Sequence, residues 1–242
     1  MTTTSTPLPG ARRGEEVRLA GLCGLLAFCT FNIGWLAGDA TQPRAFRPVD
    51  HDLSDLGALT ASNPWLYNQL AANVSGLLVI VLGIGMWRAQ RPARRGWLVV
   101  LGTTALVLTG LGIFLDGIFR LDCQAIDSGC VNDSWHSHAH KIESGFTAAA
   151  IFLMLFLLPF VLRRVGVVRW RPLLAAVPLL LTANVTFSLL GDGAATRAGT
   201  VVVFSALAYV GVQLLQQSRS SDRNENPRAS GGFRWAVLGS NQ

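Results

Sequence analysis

Six long apolar stretches constrain this chain more than any other feature of its sequence. Within a few residues at each edge, they cover about 17–38, 64–87, 97–119, 142–162, 171–190 and 198–215. A hydrocarbon core of about 30 Å needs roughly 20 helical residues, and a helix satisfies every backbone amide without water. The sequence lacks the alternating strands of a membrane barrel. The pattern therefore predicts an all-α membrane bundle of six transmembrane helices, with the lipid bilayer as its solvent.

The composition agrees with a membrane protein and argues against a nucleic-acid partner. Half of the 242 residues are hydrophobic, 14% are charged, and the mean hydropathy is +0.40. The formal charge of +6 comes from basic residues at the ends of apolar runs, not on one amphipathic face. We therefore interpret the excess of basic residues as a signal of membrane topology. The sequence identifies no protein partner.

The distribution of basic residues predicts the orientation of the bundle. Fifteen of the 20 fall in the two tails and in the links between helices 2 and 3 and between helices 4 and 5, which lie on one side. Cytoplasmic segments carry such an excess, so both termini are predicted to be cytoplasmic. Ten of the 14 acidic residues and all four histidines fall on the opposite side. Any chemistry is therefore expected at the exoplasmic face.

The sequence divides into one membrane domain and two polar tails. Residues 1–15 are predicted to form a disordered cytoplasmic tail, residues 16–215 the six-helix transmembrane domain, and residues 216–242 a second disordered cytoplasmic tail. The first apolar stretch lacks a convincing cleavage site and is expected to be retained as a helix. Residues 235–242 look like a peptide translated from a neighbouring transfer-RNA gene, and we expect no selected function there.

Three of the four histidines lie within five residues, just before the fourth apolar stretch. If the helix begins by His136, then His136 and His140 are one turn apart on one face, a spacing that lets two imidazoles bind one metal ion. Asp122, with His51 or Asp52, would complete a zinc site with an open position for water. The alternative is that these histidines are solvated loop residues or helix-capping groups.

Two cysteines lie in the same predicted outer loop as the histidines. Cys123 and Cys130 are separated by six residues, and an oxidising exoplasm favours a disulfide between them. Such a disulfide would hold Asp122 near the histidine segment. In the alternative, both thiolates bind zinc together with His136 or His140, although thiols on an outer face tend to oxidise.

Further polar residues flank the predicted helices on the same side. Ser54 and Asp55 in the first outer loop, together with Glu143, form a candidate polar site, with Asp55 or Glu143 as a possible base for a metal-bound water. A solvated acidic loop is the alternative. Asp116, within the third apolar stretch, is expected to face the bundle interior and to pair with Arg120 at i and i+4.

The motifs at these positions resemble a family of bacterial multi-pass membrane proteins, the domain-of-unknown-function 998 family. The resemblance rests on an ordered set of segments: Leu53–Ala58, Asn63–Asn68, Gly117–Cys123 and Trp135–His140. It covers about residues 16–215. It implies a multi-pass fold in a bacterial cytoplasmic membrane, and it implies no activity.

Two hypotheses for the function remain open. The first is a non-enzymatic membrane protein of unknown activity with a polar, His/Asp/Cys-rich exoplasmic face. The second is a zinc-dependent membrane hydrolase acting on a lipid or headgroup at the outer leaflet. A transporter is less favoured, because few polar residues lie near the middle of the apolar stretches.

Overall fold

The computed structural model describes residues 9–89, 96–167 and 169–225, and the elements in these ranges are helical. Six of the helices are long and apolar enough to cross a membrane, which confirms the predicted all-α bundle of six transmembrane helices. The six α-helices are α1 (Pro9–Ala40), α2 (Ser75–Ala89), α3 (Trp97–Asp116), α4 (Trp135–Val165), α5 (Ala176–Ser188) and α6 (Asp192–Glu225). A π-helical segment, Leu66–Val74, leads into α2, and short 3₁₀ helices cover Leu53–Gly57 and Arg171–Ala175. The second and fifth membrane spans therefore include these leading segments and cover Leu66–Arg88 and Arg171–Ser188.

Several helix boundaries lie outside the predicted apolar stretches. The first helix begins at Pro9, inside the predicted tail of residues 1–15, and α6 continues to Glu225, past the predicted boundary at 215. The fourth helix begins at Trp135, so it includes the histidine segment. Hydropathy marks only the apolar part of a helix, so polar turns at either end, such as the capped first turn of α4, extend beyond it. Residues 226–242 of the predicted C-terminal tail lie outside the described residues.

The helices pack in the order α4, α3, α2, α1, α6, α5, with α1 against both α2 and α6. Small residues let some of them approach closely, as is common between membrane helices. A Cβ atom on Gly110 of α3 would lie 2.7 Å from the backbone nitrogen of Ile80 in α2, so only glycine fits there. Between α1 and α6, the rings of Phe31 and Phe204 stack with centroids 4.0 Å apart.

The two long connecting segments, 41–65 and 117–134, lie together at one end of the bundle, which we call the loop end. The backbone amide of Leu59 donates to the carbonyl of Leu121 across 3.0 Å, and the amide of Ala194 in α6 donates to the carbonyl of Val49 across 2.9 Å. The ends of α3 and α1 and the starts of α4 and α6 meet at the same place. The loop end therefore gathers the polar residues of both segments against four helices.

Candidate metal centre

Three ionisable side chains converge between α3 and α4 at the loop end. They are Asp116, His140 and Glu143, and one potential ligand atom from each lies within 4.8 Å of the other two. His140 Nδ1 lies 3.2 Å from an oxygen of Asp116 and 3.9 Å from Glu143 Oε2. We call these residues the Asp–His–Glu cluster. An imidazole and two carboxylates in this arrangement match the ligands that proteins offer to divalent metals.

The beginning of α4 brings two of the three residues onto one face. The side chain of Ser134 caps the helix by accepting a hydrogen bond from the backbone amide of Ser137 at 3.2 Å. His140 and Glu143 follow within the first turns, three residues apart, and such residues are neighbours on a helix. Asp116 is the last residue of α3, which packs against α4. The cap and the helix packing together align the cluster.

Two side chains of the cluster are buried with atoms that lack a hydrogen-bond partner. His140 is 7% exposed and Glu143 is 6% exposed. Glu143 accepts a hydrogen bond from the Thr147 hydroxyl, but its Oε2 and His140 Nδ1 make no hydrogen bond in the described part of the chain, although an Asp116 oxygen lies 3.2 Å from Nδ1. Burying an unpaired polar group costs about 1–3 kcal/mol. The arrangement therefore favours a proton or a cation between these atoms.

A phenol from the second membrane helix completes the surroundings of Asp116. Tyr67 is 6% exposed, and its hydroxyl interacts with the Asp116 carboxylate. Tyr67 belongs to the π-helical segment Leu66–Val74, whose wider turn differs from the regular helix that hydropathy predicts. Turns of this kind occur frequently at functional sites. Tyr67 therefore joins the cluster from a third helix.

Two amide side chains of the π-helical segment fix its neighbours. Asn68 Nδ2 donates to the carbonyl of Gly57 at 2.9 Å, which holds the 3₁₀ helix of the first long segment. Asn73 Nδ2 donates to the carbonyl of Phe114 at 2.7 Å, two residues before Asp116. A carbonyl at the end of a helix has no partner within its own helix, so Asn73 supplies one. These bonds position the wall of the cluster.

A cavity of about 320 Å³ borders the Asp–His–Glu cluster. On its polar side, the Thr196 hydroxyl donates to the Asp52 carboxylate at 3.3 Å, and burial raises the pKa of Asp52 above its usual value. Ser54 and Ser144 also line this side. The rest of the lining is mainly apolar and includes Phe31, Leu53, Ile113, Ile151, Val203 and Phe204.

Two of the predicted zinc ligands lie apart from the cluster, because both have other roles at the start of α4. The Asp122 carboxylate accepts a hydrogen bond from the backbone amide of Ser134 at 3.0 Å, and the hydrogen bonds from Ser134 lower the pKa of Asp122. His136 packs its ring on Trp135, with centroids 3.6 Å apart. Of the predicted ligands, His140 alone belongs to the cluster.

The third predicted partner of His140, His51, also lies outside the cluster. Its ring packs against Phe46, with centroids 5.0 Å apart, and its carbonyl oxygen accepts a hydrogen bond from Arg197 at 2.7 Å. The backbone of this segment is thereby attached to α6. His51 therefore contributes to the attachment of the first long segment.

The predicted polar site of Ser54, Asp55 and Glu143 is divided in the structure. Ser54 and Glu143 line the same cavity, whereas Asp55 does not. Asp55 is 5% exposed, its carboxylate accepts a hydrogen bond from the backbone amide of Ala125 at 3.1 Å, and burial raises its pKa. Asp55 therefore joins the two long segments, and Glu143 belongs to the Asp–His–Glu cluster.

The predicted disulfide is confirmed. Cys123 and Cys130 are bonded, with Cα atoms 5.8 Å apart. The side chain of Asn132, next to this closed loop, accepts a hydrogen bond from the backbone amide of Asp122 at 2.7 Å. The disulfide and this bond shape the segment that leads from α3 to the cap of α4.

Comparison with known proteins identifies the family. The family model described as "Protein of unknown function (DUF998)" matches residues 24–215, which is most of the chain. The chain belongs to the DUF998 family. No curated protein and no solved structure matches the chain. The resemblance drawn from the sequence motifs is confirmed, and the family description assigns no activity.

In this DUF998 protein, sequence reasoning missed two members of the site. Tyr67 lies in Asn63–Asn68, one of the segments that carry the family resemblance, but nothing in the sequence marks it as a neighbour of Asp116. Asp116 is expected from sequence to pair with Arg120, whereas in the described ranges its carboxylate lies 3.2 Å from His140 Nδ1. An acidic residue within an apolar stretch is by default a candidate functional residue, and that signal was available for Asp116.

Proposed function

We propose that this multi-pass membrane protein is a metal-dependent hydrolase that holds a divalent cation, zinc in the first instance, through Asp116, His140 and Glu143. The observation that carries the proposal is the convergence of three ligand atoms within 4.8 Å, two of them buried without a hydrogen-bond partner. The sequence-based zinc hypothesis keeps His140, and Asp116 and Glu143 replace His136, Asp122 and His51 as its partners.

The charge of the cluster supports a divalent cation. Two carboxylates repel each other at short distance, and burial strengthens the repulsion because water no longer screens it. A neutral imidazole beside them adds a lone pair and no charge. A cation of charge +2 balances two ionised carboxylates and also provides the missing partners of His140 Nδ1 and Glu143 Oε2.

The cavity beside the cluster provides the room that a catalytic metal site needs. A catalytic zinc keeps three protein ligands and one position for water, whose pKa the metal lowers to about 7. Asp52 lines the same cavity and is held by Thr196, so we assign it the role of general base. A divalent ion held by Asp116, His140 and Glu143 would lower the pKa of a water molecule and polarise the carbonyl of an ester or amide. Asp52 would take the proton from the attacking water and return it to the alcohol or amine that leaves as the C–O or C–N bond breaks.

We also propose that the loop end faces away from the cytoplasm of a bacterial cell. The support is the Cys123–Cys130 disulfide, which suits an oxidising compartment, and the sequence distribution of basic residues, 15 of 20 in segments predicted to lie on the cytoplasmic side. Fusion of a cytoplasmic reporter such as green fluorescent protein to the C-terminus should give fluorescent cells. Activity of a C-terminal alkaline phosphatase fusion would indicate the opposite orientation.

The metal content of the purified protein tests the proposal. Protein purified in detergent and offered zinc should contain close to one equivalent by elemental mass spectrometry, and His140→Ala should lose most of it. His138→Ala is the matched control, because His138 is exposed on the same helix turn and lies outside the cluster. Thermal unfolding curves of all three proteins establish that the variants are folded.

Hydrolysis tests the second half of the proposal. The zinc-loaded protein should release the fluorophore of an acyl ester, and both a chelator and Asp52→Asn should abolish the release, the latter without loss of zinc. A wild-type protein that stays metal-free after zinc is offered would refute the metal site. Bound zinc without any hydrolysis of esters or amides would refute the hydrolase and leave a metal-binding protein.

A further inference from the structure

We infer that the cavity beside the Asp–His–Glu cluster binds the alkyl chain of an uncharged, single-chain amphiphile that enters from the bilayer between α4 and α6. This amphiphile is the substrate class for the proposed hydrolase, and only its hydrolysis rests on the proposed function. Binding of the alkyl chain depends on the shape and polarity of the cavity alone.

Two walls of the cavity are formed by α4 and α6, and on both the lining residues change from polar to apolar in the same direction. Along α4 it runs from His140 to Ile151, and along α6 from Thr196 to Phe204. With a rise of about 1.5 Å per residue, the α4 wall is roughly 16 Å long. The polar end lies at the loop end and the apolar end lies towards the middle of the spans. An amphiphile in a membrane has this same order of headgroup and chain.

The helices that form the two walls belong to different parts of the packing order. The fourth helix packs mainly against α3, whereas α6 packs mainly against α1 and α5. Ser144 and Ala148 of α4 line the cavity and are also exposed at the surface. Because both residues lie in a candidate membrane-spanning helix, we infer that the surface beside them faces lipid. The cavity therefore opens sideways to the bilayer.

The size of the cavity limits the ligand to one chain. Its volume of about 320 Å³ is near the lower end of ligand pockets, which span roughly 300–1,000 Å³. That volume accommodates the polar linkage and the upper part of one alkyl chain, while the remainder of the chain stays in the bilayer. Two chains of a diacyl lipid would not fit side by side.

The charges at the polar end argue against an anionic headgroup. Three carboxylates line the cavity, from Asp52, Asp116 and Glu143, and no lysine or arginine is among the lining residues that the structure describes. A divalent cation at the cluster would neutralise two of these charges and would leave no net positive charge to attract a phosphate. A neutral ester or amide, as in a monoacylglycerol or an N-acyl amine, fits this end.

Photo-crosslinking in nanodiscs tests the inference. The full chain is reconstituted in phosphatidylcholine nanodiscs with a monoacylglycerol that carries a diazirine in its alkyl chain, and labelled residues are mapped by mass spectrometry. Labels should fall on the lining of α4 and α6, among them Ala148, Ile151 and Val203. The same diazirine chain on a phosphatidylcholine should label the cavity at least fivefold less.

A cavity-filling variant provides the matched comparison. Ala148→Phe should lower the labelling at least fivefold while zinc binding is unchanged, because the metal ligands are untouched. Ala149→Phe is the control, since Ala149 is exposed on the same helix but does not line the cavity. Thr200→Phe fills the cavity from the α6 wall and serves if Ala148→Phe does not fold.

The outcomes separate the inference from the proposed function. Cavity-specific labelling of a protein that never binds zinc would support the binding site for the alkyl chain and would overturn the proposed hydrolase function. Two results would overturn the binding site for the alkyl chain alone, provided that zinc binding is normal. The first is labelling outside the cavity, and the second is labelling that neither Phe variant lowers. Crosslinks from the cavity to a second copy of the chain would show that protein occupies it, and would also overturn the inference.

Discussion

The Arg197 guanidinium donates two hydrogen bonds to the Asp39 carboxylate, from Nε at 3.0 Å and from Nη2 at 2.7 Å. The two side chains are 11% and 13% exposed. The guanidinium also donates to the carbonyl of His51 and lies 5.8 Å from the ring centroid of Trp35. This one side chain therefore joins α1, α6 and the first long segment at the loop end.

Removal of the arginine should destabilise the protein more than removal of both charges. Arg197→Met leaves Asp39 unpaired in a largely buried place, which costs about 3–5 kcal/mol. The double variant Asp39→Asn/Arg197→Met has no unpaired charge and should recover part of that loss. Thermal unfolding in detergent measures both.

The control for these two variants is Arg44→Met, because Arg44 is exposed on the first long segment and should tolerate the change. If Arg197→Met and Arg44→Met unfold at the same temperature as the wild type, the ion pair does not hold the loop end together.

Loss of the disulfide should loosen the segment that leads to α4. The bond joins residues seven positions apart, and the chain-entropy model gives about 2.5 kcal/mol for closing so short a loop. Cys123→Ser/Cys130→Ser should therefore unfold at a lower temperature, and reductant should lower the unfolding temperature of the wild type by a similar amount. Cys29→Ser, which removes an exposed free thiol, should change neither value.

Whereas the π-helical turns of Leu66–Val74 do not follow from the sequence, the number of membrane-spanning helices does, because length and hydropathy are local properties. The same holds for the disulfide, whose cysteines lie close along the chain. Convergence of the Asp–His–Glu cluster is different, since Asp116 and His140 come from separate helices and meet only when α3 and α4 pack in one register. Sequence spacing favours His136 as the partner of His140, but the ring of His136 packs on Trp135 instead.

The buried amide at the start of the second membrane helix gives a third prediction. Asn68 is 2% exposed and donates to the carbonyl of Gly57. Asn68→Ala leaves that buried carbonyl unpaired, which costs about 1–3 kcal/mol. Hydrogen–deuterium exchange should rise in residues 53–57, next to the cavity.

Gln69→Ala is the comparison for this variant, because Gln69 is exposed one residue later in the same segment. Equal exchange in Asn68→Ala, Gln69→Ala and the wild type would mean that the amide does not hold the 3₁₀ helix.

The cap of α4 should depend on pH through Asp122. The hydrogen bonds from Ser134 lower the pKa of Asp122 below its usual 3.8, so the ionised carboxylate is favoured in the folded state. Its contribution to stability is present above that usual pKa and is lost as pH falls through the lower, folded pKa. The difference in unfolding temperature between the wild type and Asp122→Ala should therefore be widest near neutral pH and should close in strong acid.

Comparison with a variant isolates this one titration. Burial raises the pKa values of Asp52 and Asp55, which changes stability with pH in the opposite sense, but both groups are present in the wild type and in Asp122→Ala alike. Asp133→Ala, at an exposed neighbouring acid, is the control and should show a small, constant difference. The difference in unfolding temperature between the wild type and Asp122→Ala could instead stay constant from neutral pH to strong acid. That result would mean that the carboxylate charge does not support the cap and that Ser134 alone caps α4.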